Sequence, residues 1–224
     1  MKWNHRIIAS LLFLATLQMA NGQTGISFNV HAGPQFAWLS SSAHDMIDPD
    51  GSILHMQAGI QMDYFFAENY AFIVGFGINN MGGNLSYAES VTYNPGENSV
   101  VVESGDRMKM NLQYLDIPVG LKLKTEEMGY ITGFLQVGLN PMLNINAKLS
   151  TKDGASNYDK ASIQESVNLF NLGYHVGIGA EYKLGGNTAA TGGVRWTSGL
   201  INVTENDGAS ISVNAISIHL GIIF

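Results

Sequence analysis

Cysteine is absent from the 224 residues. Its absence excludes disulfides, thiolate metal sites, catalytic thiols and the cysteine-borne lipid anchor of bacterial lipoproteins. Positive charge is scarce. Eleven Lys and Arg stand against 18 Asp and Glu, a formal net charge of -7. No basic patch of the kind that grips a phosphate backbone is present, so nucleic acid is not an expected partner. Proline is also rare, with 5 residues. Past the first two dozen positions no apolar run is long enough for a spanning helix, although 46% of the chain is hydrophobic. The apolar residues are therefore dispersed by alternation.

The one compact apolar run lies at the start. Lys2 and Arg6 precede Ile7–Leu17, and Ala20 and Gly22 are small. This is the layout of a secretory signal peptide, residues 1–22, cut before Gln23. Loss of Lys2 and Arg6 takes the charge from -7 to -9. Residues 23–224 then form one domain.

That domain reads as strands. In Val213–Phe224, Ile216, Ile218, Leu220, Ile222 and Phe224 share one side, and Ser217, His219 and Gly221 share the other. Period-two alternation means a strand with one apolar and one polar or small face. The pattern recurs at Ile26–Trp38, Leu54–Phe65, Tyr70–Asn80, a segment ending at Leu123, Tyr130–Asn146, Asn168–Lys183 and Ala190–Val203. Short turns (Phe66–Asn69, Thr125–Gly129, Leu184–Thr188) alternate with long connections (Leu39–Ile53, Met81–Lys109, Ala147–Ser166, Thr204–Ser212). Eight strands with alternating short and long connections predict an all-β fold: an antiparallel up-and-down transmembrane barrel in the outer membrane of a Gram-negative cell.

Asn168–Lys183 decides which face meets lipid. Its apolar set is large and continuous, whereas its polar set mixes Asn171, His175 and Glu181 with glycines, as a narrow interior requires. A lipocalin-like barrel needs the reverse. A charge on the lipid face costs roughly 2–4 kcal/mol near the midplane. Asp63, Asp116, Lys122, Glu181, Lys183 and Arg195 are accordingly expected inside or at the rim, and Tyr64, Tyr182, Trp38 and Trp196 at the interfaces, with a deeper place as the alternative for Trp196. Two features disturb the parity. Asn111 and Gln113 fall on the outward face, so either the strand continues above the bilayer there or a bulge flips it; Pro118 and Pro141 sit within strands, where each removes a ladder donor and marks a bulge or bend.

Asp116, Glu181, Arg195, His175 and His219 form the candidate lumen network. It is expected to be ion-paired and to plug the barrel, because eight strands leave no open channel. A small-solute or ion channel, which needs this network to open, is the alternative. His31, His44, His55, His175 and His219 sit at differing heights, which disfavours a metal site, and no cofactor is expected. No nucleophile elbow or zinc-hydrolase motif occurs, so an enzyme is not expected. A lipid-modifying enzyme stays as the remote reading. Twelve of the 18 acids fall in the long connections. Solvation of the loops accounts for them, with cation bridges to lipopolysaccharide as the functional alternative. The Met81–Lys109 connection is long enough to project and bind a partner, with Val100–Val102 as an added strand.

Three segments resemble one family. Leu112–Lys124 (LQYLDIPVGLKLK), Gly177–Leu184 (GIGAEYKL) and Gly193–Val203 (GVRWTSGLINV) are similar, in order and spacing, to strands of PorT-type outer-membrane β-barrel proteins of Bacteroidota. The barrel reading predicts contact with lipid and lipopolysaccharide and a structural or interaction role, and the resemblance implies an outer-membrane location and an eight-stranded barrel. It also implies an accessory role in type IX secretion or gliding for some members, and it supplies no catalytic residues.

Overall fold

The computed structural model describes residues 25–42, 47–93, 99–152, 157–204 and 210–224. The signal-peptide reading and His44 lie outside these residues. The strands are β1 (Ile26–Ser41), β2 (Ile47–Pro49), β3 (Ile53–Ala67), β4 (Tyr70–Tyr87), β5 (Val91–Tyr93), β6 (Val100–Val102), β7 (Arg107–Asp116), β8 (Val119–Lys124), β9 (Ile131–Lys152), β10 (Ala161–Ser162), β11 (Phe170–Gly185), β12 (Thr188–Gly199) and β13 (Ile211–Ile223). β7 and β8 are two halves of one wall position, because both pair with β4 on one side and β9 on the other. The antiparallel order β1-β3-β4-β7/β8-β9-β11-β12-β13 closes where β13 pairs with β1, from Asn29↔Ile223 to Ser41↔Ile211. The result is an eight-stranded barrel with sequential neighbours.

Alternation fixes the register and the faces. Ile178 on the outside is 62% exposed, whereas Lys122 on the inside is 1% exposed. The exposed apolar side chains form a continuous band around the wall while Asp63, Asp116, Lys122, Glu181 and Arg195 are buried within it, which is the arrangement of a lipid-facing surface. Trp196 lies well inside this band, edge-on to Tyr174 at 5.4 Å. Phe66, Tyr70, Tyr130 and Tyr182 cluster near the tight turns. Those turns need special backbone: Gly185 and Gly186 take positive φ, 141° and 57°, to reverse the chain between β11 and β12.

Polarity inverts along the taller strands. On β7 the inward residues are Met108, Met110, Leu112 and Tyr114, followed by Asp116, and β8 adds inward Lys122. The outward ones are Lys109, Asn111 and Gln113, followed by Leu115. Above one level the wall is apolar inside and polar outside, as in water. Below it the order reverses, as in lipid. The crossover between Gln113 and Leu115 marks the hydrocarbon edge. Asn111 and Gln113 therefore face outward because the strand continues above the bilayer, and β7 needs no bulge of its own to put them there.

The expected strand ends are corrected in the same region. β4 runs to Tyr87 and β9 to Lys152, well into the supposed Met81–Lys109 and Ala147–Ser166 connections. Inward residues in these extensions are apolar, which broke the polar-inside rule used to find strands. Strict alternation along Tyr130–Asn146 puts Asn146 inward with Asn144, whereas it pairs with outward Gln113. The β7–β9 register slips between Gln113 and Tyr114, so Ile145 is the extra residue of a bulge. Pro118 ends the β7 ladder, whereas Pro141 leaves β9 unbroken. At the break the Ile117 amide donates to the Pro141 carbonyl at 3.0 Å, and the Gly75 amide to the Pro118 carbonyl at 2.8 Å.

Candidate functional site

The lower lumen is filled by charge. Lys122 on β8 donates to Asp63 Oδ2 at 2.6 Å and contacts Glu181 Oε1 at 2.5 Å. Lys124 reaches Glu181 Oε2 at 2.6 Å. Gln61 Nε2 donates to Asp63 Oδ1 at 2.6 Å. The Phe134 ring lies 4.9 Å from the Lys122 ammonium. Room for this ring comes from Gly179: a Cβ there would overlap the Phe134 ring and the Gly192 carbonyl oxygen.

Arg195 lies above this cluster. Its Nη2 donates to Gln136 Oε1 at 2.9 Å and to Gln61 Oε1 at 3.3 Å. Among the described residues no carboxylate is within ion-pair distance of it, so neutral amides hold the guanidinium. The ion pairing expected of the lumen network runs through a relay, Arg195–Gln61–Asp63–Lys122–Glu181–Lys124. Asp116 is held by Asn140 Nδ2 at 2.8 and 3.0 Å, and Asn140 Oδ1 meets His175 Nδ1. His219 shares a hydrogen bond of 3.0 Å with Ser217, which also donates to the Arg195 carbonyl, and His219 packs on His31 at 4.9 Å between ring centres.

All five lumen residues singled out from the sequence line the interior. Asp116, Glu181, Arg195 and His175 are buried, and His219 is half-buried. Glu181 belongs to the lower cluster, and the other four to the layer above. Asp63 and Lys122 were expected inside or at the rim, and they turn out to be central. Gln61, Gln136 and Phe134 were missed as partners. Their inward parity was readable, but cross-barrel contacts between non-neighbouring strands leave no trace in one sequence. Counting the acidic and basic side chains of both layers gives three acids (Asp63, Asp116, Glu181) and three bases (Lys122, Lys124, Arg195). The lumen is thus neutral when all six are ionised.

Space in the lumen is small. Two cavities of about 20 Å³ flank Arg195. The first touches His31, Asp116 and Ser217, and the second Asn29, Phe134 and Thr191. Each holds about one water. Among the described residues no three His, Asp or Glu side chains converge as a metal set.

The upper end is closed by a folded cap. β2 pairs with the end of β4, β10 with β9, and β5 with β6. Leu39, Met81, Leu85, Val102, Met110 and Leu149 are among the residues forming one apolar core inside the mouth. Burying each large side chain contributes about 1.5–3 kcal/mol. Tyr87 and Tyr93 join at the cap's centre through their hydroxyls, 2.8 Å apart. Burial raises the pKa of both phenols, Tyr93 well above its ordinary range. The Val100–Val102 strand exists, but it packs inward and does not project as a free arm.

The sequence profile described as "Outer membrane protein beta-barrel domain" matches residues 18–205. The chain belongs to this outer-membrane β-barrel family. Its place is accordingly the outer membrane. No curated protein matches the chain. Solved outer-membrane barrels are similar to it in fold. Neisserial surface protein A shares 15% identity over 91% of this chain and 98% of its own, with a TM-score of 0.48. OprG from Pseudomonas aeruginosa shares 14% over 90% and 96%, with a TM-score of 0.47. Ail of Yersinia pestis shares 12% over 90% and 100%, with a TM-score of 0.43.

Proposed function

We propose that this outer-membrane barrel is a closed scaffold that works through its extracellular cap, as an interaction protein and not as a channel or an enzyme. One observation carries the reading: an ion-paired lower lumen and an apolar cap fill the barrel in series. A solute would have to break the Asp63–Lys122–Glu181 cluster and then unpack the cap core. The Ser217–His219 pair is no nucleophile–base couple open to substrate, because it faces the lumen and packs on His31. In planar bilayers the purified protein is expected to give no conductance steps. Stable single-channel openings of the wild-type protein would overturn the reading in favour of an ion or small-solute channel.

The PorT-type segments support a finer role, as an accessory of type IX secretion or gliding in a Bacteroidota cell. The chain would then be exported through its N-terminal signal segment and surrounded by lipid and lipopolysaccharide. Gentle solubilisation and pull-down test this role. Secretion or gliding components are expected to co-purify. A barrel reproducibly free of them removes the accessory role and leaves the closed scaffold standing.

A further inference from the structure

Nine Lys and Arg remain after Gln23, and they are unevenly placed. Lys122, Lys124, Lys183 and Arg195 serve the lumen and the turn side. The other five, Arg107, Lys109, Lys148, Lys152 and Lys160, all lie on or beside the wall that β7 and β9 raise above the bilayer. Pairing sets their heights. The last apolar outward row is Ile78↔Leu115↔Leu143, and the next is polar: Asn80↔Gln113↔Asn146. Gln113 Nε2 donates to Asn80 Oδ1 at 2.9 Å, and Asn80 Nδ2 to the Met56 carbonyl at 2.8 Å, so this boundary row is fixed. Asn111↔Lys148, Lys109↔Ser150 and Arg107↔Lys152 follow in turn. The Lys160 amide donates to Ser150 Oγ at 3.0 Å, which places it against the same wall.

From Leu115, the Lys148 and Lys109 rows lie about 13 and 20 Å along the strands. A strand tilt of roughly 40° reduces these to about 10 and 15 Å above the hydrocarbon edge. That zone holds the headgroups and first sugars of the outer leaflet. Lys109 and Lys148 have inward neighbours buried in the cap core (Met108, Met110, Ala147 and Leu149), so both side chains point outward. Arg107 is shared with Asp50 at 3.1 Å. Asp159 adjoins Lys160 in sequence. Among the described residues, Lys109 and Lys148 have no carboxylate within ion-pair distance.

We infer that this wall docks a phosphorylated glycolipid of the outer leaflet, with Lys109 and Lys148 as the phosphate contacts and the Asn111 and Ser150 side chains beside them for sugar hydroxyls. The occupant follows from charge and height. The lysines stand where an anionic headgroup stands, on a protein whose remaining extracellular charge is acidic. Point-charge contact by lysine suits phosphate. This inference rests on the outer-membrane scaffold reading and adds a ligand and a side to it. It also changes the role of the acidic loops: cation bridges are not needed on this flank.

The test uses the whole barrel, purified in mild detergent, and the variant Lys109→Gln/Lys148→Gln. Heat-modifiable mobility on a gel reports that each protein is folded, independently of any ligand. Lipopolysaccharide retained per barrel is then counted by native mass spectrometry, with intact and with enzymatically dephosphorylated lipopolysaccharide. Wild type is expected to retain the intact glycolipid, with at least a tenfold loss in the double variant and a similar loss after dephosphorylation. Equal retention by the double variant, or by the dephosphorylated glycolipid, overturns the inference. Binding of a soluble polyanion such as heparin with no glycolipid retained also overturns it. A conductance result does not bear on this outcome, so failure here leaves the closed-scaffold reading intact.

Discussion

Lys122 shows how much one lumen residue can govern. Its ammonium serves two carboxylates, and the site is 1% exposed. Lys122→Met keeps much of the volume and leaves Asp63 without its cation. Breaking a buried pair by removing one partner costs about 3–5 kcal/mol. The expected result is a lower unfolding midpoint in guanidinium for the refolded barrel, measured by tryptophan fluorescence. A midpoint within error of wild type would show that the cluster is wet and energetically idle. The sequence placed Lys122 on the inside but gave no sign of its partners. Asp63 and Glu181 come from strands that do not adjoin β8, and only closure of the barrel brings them within 2.6 Å.

At the scale of the strand, alternation made most of the wall legible. All eight wall positions, their order and their lipid faces follow from period two, because each strand meets lipid on one side only. Two features escaped. The extensions of β4, β7 and β9 reverse the pattern above the bilayer, and a rule tuned for lipid reads them as loop. The Met108-Met110-Leu112-Tyr114 alternation was present all along, with its faces exchanged. The bulge at Ile145 was also hidden, because a single extra residue inside an Asn-rich run leaves parity ambiguous. The lipid face itself is testable. Val194 lies on β12 opposite Ile178 and Trp196 opposite Val176, close to mid-membrane. Val194→Arg is expected to cost about 2–4 kcal/mol in lipid vesicles. Gly193→Arg probes nothing comparable, since its added Cβ would meet the Ile178 carbonyl oxygen at 2.6 Å. Val194→Arg unfolding at the wild-type midpoint would mean that this face does not contact hydrocarbon.

For the whole molecule, barrel and cap form two differently solvated halves on one set of strands. Burial keeps the Tyr93 phenol neutral to higher pH than a free phenol. A group whose folded pKa is raised contributes stability that is present below its unfolded pKa and is lost as pH rises through the folded one. The cap is thus expected to hold at neutral pH and to loosen in alkali, above the ordinary phenol range near 10, while the lipid-embedded strands stay paired. Absorbance at 295 nm is expected to show late-ionising phenols whose appearance coincides with amide exchange in β5 and β6. Tyr93→Phe removes one of them and costs about 1 kcal/mol through the lost hydroxyl pair. Phenols that all ionise together near pH 10, with no change in exchange, would contradict a packed cap. The apolar core in the barrel mouth also decides how the protein is seen from outside the cell. What a phage or an antibody meets is a folded surface assembled from several connections at once. Tyr93, Val100 and Val102 are hidden in the intact cap, so antibodies that need those side chains are expected to stain denatured chain and pass over living cells.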